Sequence, residues 1–290
     1  MSEGIITRRI KTPNPFLLDN FGGAAAAYSL RLLSANEFGN PVVKVRRDSD
    51  NAEQDFTASE INDGSLVAWV GNTASDNGFV TTWYDQSGNG NDATQSTAAS
   101  QPKIVSGGSL VTENSKPAID FDGNDDFVES SSSTLADVFT SSFMLCMVSK
   151  ADNIQPLSTS GQNKRIIHAF DSGNTLQLVI NESSLDKVSS DAGDVSATNG
   201  TFFKLQQTLF VAEMEQDKIF IDGVDSGTGT TAAGNPNPNG TGTRIGADKA
   251  GSGVNGEYDG TIQEIIIYDS DQSSNRTGIE SNINNHYGIY

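Results

Sequence analysis

The chain has 290 residues and a formal net charge of −19, from 37 acidic and 18 basic side chains. An acidic surface repels a phosphate backbone, which excludes nucleic-acid binding as the main role. The length accommodates one large β-domain or two ordinary domains with a sizeable core.

The N-terminal segment differs in charge from the rest. Residues 1–47 hold seven basic and three acidic side chains, a net +4 on a body of −23. The prolines of Thr12–Pro15 are incompatible with a helix or a central strand. We therefore predict an extended arm over residues 1–23 that docks on an acidic partner. The alternative is that its charged side chains are simply exposed to solvent and bind no partner. The arm residues expected to dock are Arg8, Arg9, Lys11, Pro13, Pro15 and Phe16.

Strands are expected next. Ala27–Leu33 and Val42–Arg46 alternate apolar and polar residues, which is typical of half-buried strands. Between Ser59 and Val70 the apolar residues fall roughly on one face, which predicts a short helix.

The most informative stretch is Gly78–Gln95. Phe79–Tyr84 is rich in β-branched and aromatic residues and predicts a strand. Asp85–Asp92 follows with Gly, Asn, Asp and Ser, which form tight, self-bonded loops.

The second half predicts further short strands, an Asp222-Gly223 hairpin turn, a surface loop over Ser226–Thr243 and a C-terminal helix over Ser274–Tyr287. The expected strands are Lys116–Val128 with a central Asp-Gly turn, Ser142–Val148, Arg165–Phe170, Thr175–Ile180, Phe202–Phe210, Lys218–Ile221 and Gly260–Tyr268. Such a series predicts an all-β, antiparallel sandwich. We expect one domain over residues 24–290, divided at residues 105 and 106 into an N-terminal part and a core.

The cysteine content and the apolar stretches indicate the cellular compartment in which the chain is made. Cys146 is the single cysteine, so no intrachain disulfide forms, and its apolar surroundings predict an inert core thiol. No stretch is long or apolar enough to span a membrane, and no apolar segment of a signal peptide follows Met1. We expect assembly in a cytoplasm.

Two sets of motifs resemble known families. Phe121–Phe127, Ile219–Val224 and Gly260–Asp269 resemble the concanavalin A/laminin-G-like jelly-roll superfamily. Tyr28–Arg31, Trp83–Asn91 and the last helix resemble the catalytic domain of fungal α-L-arabinofuranosidase B. Domains of this type also resemble virion proteins of tailed phages. The resemblance implies a jelly-roll β-sandwich with an N-terminal arm and a short C-terminal helix.

The arabinofuranosidase resemblance implies a retaining glycosidase with two carboxylates. Arg244–Asp248 matches the segment of the acid/base residue, which would be Asp248, whereas His168 falls where the nucleophilic glutamate is expected. The family's adjacent cysteine pair is also missing. Asp171 and Glu182 are alternative carboxylates.

Other side chains are candidates for ligands. Asp248, Tyr258 and Trp83 are candidates for glycan contacts, with core packing as the alternative for Trp83 and Tyr258 expected to be the better exposed. Asp85 and Asn89, or the Asx-rich turn with Asp122, Asp125 and Asp126, could bind a cation, although structural turns are the favoured interpretation. No cofactor is expected.

The motifs of the family's fold are present, but His168 replaces the nucleophilic glutamate. This combination favours a non-enzymatic virion protein of a tailed phage, such as a capsid decoration protein. Its expected partners are other virion proteins, further copies of the chain and host glycans, with no nucleic acid and no membrane. A tail or tail-fibre component, a carbohydrate-binding module and an active arabinofuranosidase are the alternatives.

Overall fold

The computed structural model describes residues 15–138, 142–152, 164–170, 175–180, 187–190, 193–197, 207–213, 218–229, 242–247 and 257–290. Every strand pairing within these residues is antiparallel, and the helices are short, so the predicted all-β antiparallel fold is confirmed. No helix among the described residues has the length and apolar character needed to cross a membrane.

The elements of the first half precede residue 139. The helices are α1 (Leu17–Asn20), α2 (Ala58–Asn62), α3 (Ser65–Val70) and α4 (Ser133–Val138). The strands are β1 (Ala24–Ser29), β2 (Pro41–Arg47), β3 (Glu53–Thr57), β4 (Gly78–Trp83), β5 (Ala93–Thr94), β6 (Lys103–Ser106), β7 (Ser109–Leu110), β8 (Thr112–Glu113), β9 (Lys116–Pro117), β10 (Ile119–Asp122) and β11 (Val128–Ser130).

The second half adds eleven described strands and one helix. These are β12 (Met144–Ala151), β13 (Lys164–Phe170), β14 (Thr175–Ile180), β15 (Lys187–Ser190), β16 (Gly193–Ala197), β17 (Thr208–Glu213), β18 (Lys218–Ile221), β19 (Val224–Asp225), β20 (Gly227–Gly229), β21 (Gly242–Ile245), β22 (Asp259–Tyr268) and α5 (Arg276–Tyr287). Strand β20 and the first two residues of β21 fall inside the predicted surface loop.

Strand β22 is central to the fold. It pairs along its length with β12, and on its other edge with β10 and then β1. Its side chains alternate between two cores: Ile265 and Ile267 face one cluster, whereas Ile266 and Tyr268 face another. Both faces of this part of the sheet are therefore buried, which explains the continuous apolar run of β12.

The first core lies between this sheet and a second group of strands. That group runs β3–β2–β4–β5–β11–β21–β13–β14. Its strand β4 belongs to the informative stretch Gly78–Gln95 and is called the anchor strand below. Val45, Val80 and Ile245 from the second group share the core with Leu145 and Ile267 from the first. The second core lies under α1 and α5, where Leu17, Ile279 and Ile283 cover β12 and β22.

Two local predictions are wrong. The single helix expected over Ser59–Val70 is divided into α2 and α3, because Gly64 adopts φ +89° between them. The extended arm is not extended in its described part, since Leu17–Asn20 form a helical turn with Leu17 fully buried. The amide of Asn282 on α5 donates to the Pro15 carbonyl at 3.2 Å, which ties this segment to its own domain.

Candidate functional site

An acidic turn connects β10 to β11 at one end of the first core. It contains Asp122, Asp125 and Asp126, and one carboxylate oxygen from each lies within 4.8 Å of the others. Asp122 and Asp125 are exposed, whereas Asp126 is only 5% exposed. The turn therefore presents two accessible carboxylates beside a buried one.

Hydrogen bonds within the turn hold these carboxylates in place. Asp126 Oδ2 accepts the Asp122 N–H at 3.0 Å, and Asp122 Oδ1 accepts the Asn124 N–H at 2.9 Å. Asp125 Oδ2 accepts the Ser100 hydroxyl at 2.9 Å. The predicted Asx-rich turn is confirmed, and a cation at these residues stays a prediction, because a group of acidic side chains with its own donors is common without a metal.

The pKa values of two neighbouring carboxyls are shifted in opposite directions. Burial, together with the charges of Asp122 and Asp125, raises the pKa of Asp126 to about 7. Partial burial alone would raise the pKa of Asp122. Hydrogen bonds from Asn124 and the Asp125 N–H outweigh that effect and lower the pKa. At neutral pH the pair can thus hold one proton and one negative charge, as an acid–nucleophile pair requires.

More negative charge surrounds the turn. Burial and the charges of Asp152 and Asp259 raise the pKa of Asp120 on β10, with Lys103 acting in the opposite direction. This environment disfavours an anionic ligand.

A partly buried wall adjoins the turn on β11 and β21. Glu129 lies opposite Arg244 in the strand register, and their side chains form an ion pair at 2.7 Å. The Arg244 guanidinium lies 3.9 Å from the centre of the Phe127 ring. Sequence reasoning missed Glu129, although Phe127 and Glu129 alternate in the pattern of one strand face and could have been found by it.

The strand β21 leads directly to the residue that the resemblance makes the acid/base. Asp248 itself lies outside the described residues, as do Asp171 and Glu182, so their roles stay predictions. Gly246 adopts φ +97°, and a Cβ there would lie 3.0 Å from the Asp126 carbonyl oxygen. The segment before Asp248 therefore packs against the acidic turn. His168 lies opposite Arg244 on β13 and is 3% exposed.

The predicted aromatic sugar contacts are contradicted by burial. Trp83 and Tyr258 are both 0% exposed. Trp83 packs against Tyr28 in the first core, and Tyr258 against Phe121. Neither ring face is available to a sugar, so the expected exposure of Tyr258 is wrong and the core alternative for Trp83 is confirmed.

The loop Asp85–Asp92 after the anchor strand, called the anchor loop below, is held in shape by its own hydrogen bonds. Asp85 Oδ1 accepts the N–H groups of Ala27 and Ser87, and Oδ2 accepts the Ser87 hydroxyl and the Asn91 N–H, at 2.7–3.0 Å. The Asn89 amide donates to the carbonyls of Ala24 and Ala25. A cation bound by Asp85 and Asn89 would displace these donors, so the structural-loop interpretation fits.

Of the docking residues predicted in the arm, Arg8, Arg9, Lys11 and Pro13 lie outside the described residues. Pro15 and Phe16 are described: Pro15 is exposed and Phe16 is partly buried. The partners expected for the arm and the homo-oligomer stay predictions.

No protein-family model and no curated protein matches the sequence. Solved structures do match the fold. An arabinofuranosidase complexed with arabinofuranosyl-α-1,2-xylobiose has a TM-score of 0.53 and 16% identity, covering 93% of this chain and 64% of that one. A GH54 α-L-arabinofuranosidase soaked with a cyclic sulfate inhibitor has a TM-score of 0.52 and 16% identity, covering 90% and 62%.

A Trypanosoma rangeli sialidase mutant with trans-sialidase activity has a TM-score of 0.50 and 13% identity, covering 71% of this chain and 31% of that one. The chain thus spans less than two thirds of the arabinofuranosidase chains and about a third of the sialidase. At these identities the likeness concerns the fold.

The comparison corrects the functional hypothesis from the sequence. The matching folds are those of glycosidases. The predicted main function, a non-enzymatic virion protein, is therefore wrong, and so is the prediction that the chain is not an enzyme. The virion location stays a prediction. The alternative of an arabinofuranosidase is better supported.

Proposed function

We propose that this chain is a carbohydrate-processing enzyme, a glycoside hydrolase acting on α-L-arabinofuranosides through the carboxylates of the acidic turn. The observation that carries the proposal is the Asp122–Asp126 pair, with oxygens within 4.8 Å, on a fold shared with arabinofuranosidases. The proposal includes a jelly-roll, concanavalin A/laminin-G-like connection of the strands.

Retaining enzymes place the two carboxyl groups about 5–5.5 Å apart, whereas inverting enzymes need about 6.5–9.5 Å to admit a water. With oxygens within 4.8 Å of each other, the pair is nearer to the retaining arrangement. Asp126 would donate its proton to the glycosidic oxygen as the bond to C1 breaks. Asp122 would attack C1 and form a glycosyl ester. Asp126, now ionised, would take a proton from water, whose oxygen attacks C1 and releases Asp122 and the sugar.

The charge of the surroundings favours an arabinofuranoside over a sialoside. Asp120, Asp125, Asp152 and Asp259 lie around the pair and outnumber Lys103, whereas Arg244 is already paired with Glu129. A sialic acid brings a carboxylate that this environment would repel, whereas an arabinofuranoside is neutral.

Turnover of a panel of chromogenic 4-nitrophenyl glycosides tests the proposal. We expect kcat/KM to be highest for the α-L-arabinofuranoside and to fall at least 100-fold in Asp126→Asn and Asp122→Asn, since each lost carboxyl removes one chemical step. Unchanged turnover in both variants, with loss in Asp248→Asn, would move the chemistry away from the turn. No turnover of any glycoside would overturn the proposal.

A further inference from the structure

A polar groove of about 760 Å³ lies away from the acidic turn. It begins at Ser130, the last residue of β11, whereas the acidic turn precedes the first residue of that strand. Its walls are the anchor loop, the serine-rich segment before and within α4, and the end of β22. The lining residues are Ala25, Asn89, Gly90, Asn91, Asp92, Ser130, Ser131, Ser132, Thr134, Asp137, Val138 and Asp269.

The groove is rich in hydrogen-bond acceptors. Asp92 Oδ1 accepts the Asp85 N–H at 2.9 Å, and no donor among the described residues bonds its Oδ2. The Asn89 amide nitrogen donates to backbone carbonyls, which leaves its Oδ1 directed away from those bonds. Asp269 is exposed at the end of β22, and Ser131 and Thr134 add hydroxyl groups. Such a set pairs with the O–H donors of a polyol.

The charge of the lining restricts the ligand further. Asp92 and Asp269 are acidic, and no lysine or arginine lies among the described lining residues. An anionic sugar would be repelled, so the groove suits a neutral saccharide.

The loop wall is preorganised. Asp85 binds the backbone of the loop at Ser87 and Asn91, and the Asn91 amide donates to the Ala25 carbonyl at 2.8 Å. The Tyr28 hydroxyl donates to the Asn91 carbonyl. A wall held by buried hydrogen bonds loses little conformational entropy on binding.

We propose that this groove binds a neutral oligosaccharide, as a site separate from the catalytic carboxylates. The inference rests on the proposed function for the choice of probe sugar alone. It does not require hydrolysis.

The test is a titration of the full chain with α-1,5-arabinotriose. Binding is measured by calorimetry and by the amide NMR signals of Gly90 and Ser131. Asp126→Asn serves as the background, which prevents turnover without altering the groove. Asp92→Asn keeps the oxygen that accepts the Asp85 N–H but replaces the second acceptor with a donor. We expect affinity to fall at least fivefold in Asp92→Asn and to be lost in Ser131→Trp, which fills the groove.

Asp63→Asn is the matched control, because Asp63 is exposed and uses one oxygen in the same way, on the Ser65 N–H at 2.9 Å. It should bind as the background does, and trigalacturonate should bind at least tenfold more weakly than arabinotriose. Absence of saturable binding, equal binding in Ser131→Trp, or a response of the same signals to Ca²⁺ alone would overturn the inference. Turnover without groove binding would do so while leaving the proposed function intact.

Discussion

Arg31 and Glu264 form a buried ion pair with two contacts, Nε to Oε2 at 2.7 Å and Nη2 to Oε1 at 2.8 Å. Glu264 also accepts the hydroxyls of Ser29 at 2.8 Å and Tyr287 at 3.1 Å. Burial would raise the pKa of Glu264, but the Arg31 charge and these donors outweigh it and lower the pKa. The pair joins the end of β1, strand β22 and helix α5.

Removing one member of this pair should destabilise the domain strongly. In Arg31→Ala the buried Glu264 charge loses its partner, which costs about 3–5 kcal/mol of unfolding free energy. Urea denaturation followed by tryptophan fluorescence measures the change. Lys44→Ala is the control, since Lys44 pairs at 3.8 Å with an exposed Asp55 and should change the midpoint little. Equal effects of the two substitutions would contradict this explanation.

The anchor loop should depend on the Asp85 carboxylate. Asp85→Asn places an amide donor where the protein presents N–H and O–H donors, and we expect a cost of about 1–3 kcal/mol. The same denaturation experiment measures it. Asp92→Asn, which retains its acceptor for the Asp85 N–H, should cost less. A larger loss in Asp92→Asn would show that the loop is held differently.

The raised pKa of Asp126 gives a pH dependence of stability. Its folded pKa of about 7 lies above the ordinary aspartate pKa of 3.8, so the folded state binds the proton more tightly. The contribution is fully present below pH 3.8 and is lost as the pH rises through about 7. Asp126→Asn should make the melting temperature less dependent on pH between 3.8 and about 7. A slope equal to that of the wild type would disprove the assignment.

Two buried glutamates share one arginine beneath α5. Arg276 lies 3.4 Å from Glu213 and 2.6 Å from Glu280, and burial raises the pKa of both carboxyls. Stability from this cluster therefore decreases as the pH rises through those raised values. Glu213→Gln removes one buried charge. The melting temperature of the variant, compared with that of the wild type, should therefore be higher at pH 8 than at pH 5. A uniform loss at both pH values would show that packing dominates.

The sequence was a good guide to local structure. Strands such as Lys218–Ile221 and the Asp222-Gly223 turn follow from alternation and from turn residues, and both appear in the structure. The anchor strand ends one residue earlier than predicted, at Trp83. These features depend on neighbours in the chain, which a single sequence displays.

Tertiary properties of the site could not be predicted in this way. Arg31 and Glu264 are separated by 233 residues, so no periodicity links them. Tyr258 packs on Phe121, which lies 137 residues earlier in the chain. The raised pKa of Asp126 depends on burial of its carboxyl and on the neighbouring carboxylates. Motif spacing identified the acidic turn but not the distribution of protons within it.

The central claim is that the acidic turn performs glycoside hydrolysis. The most direct measurement is kcat/KM for 4-nitrophenyl α-L-arabinofuranoside in the wild type, Asp126→Asn and the exposed control Asp63→Asn. We predict turnover by the wild type and the control, with a loss of at least 100-fold in Asp126→Asn. Equal turnover in all three proteins, or none in the wild type, would contradict the claim.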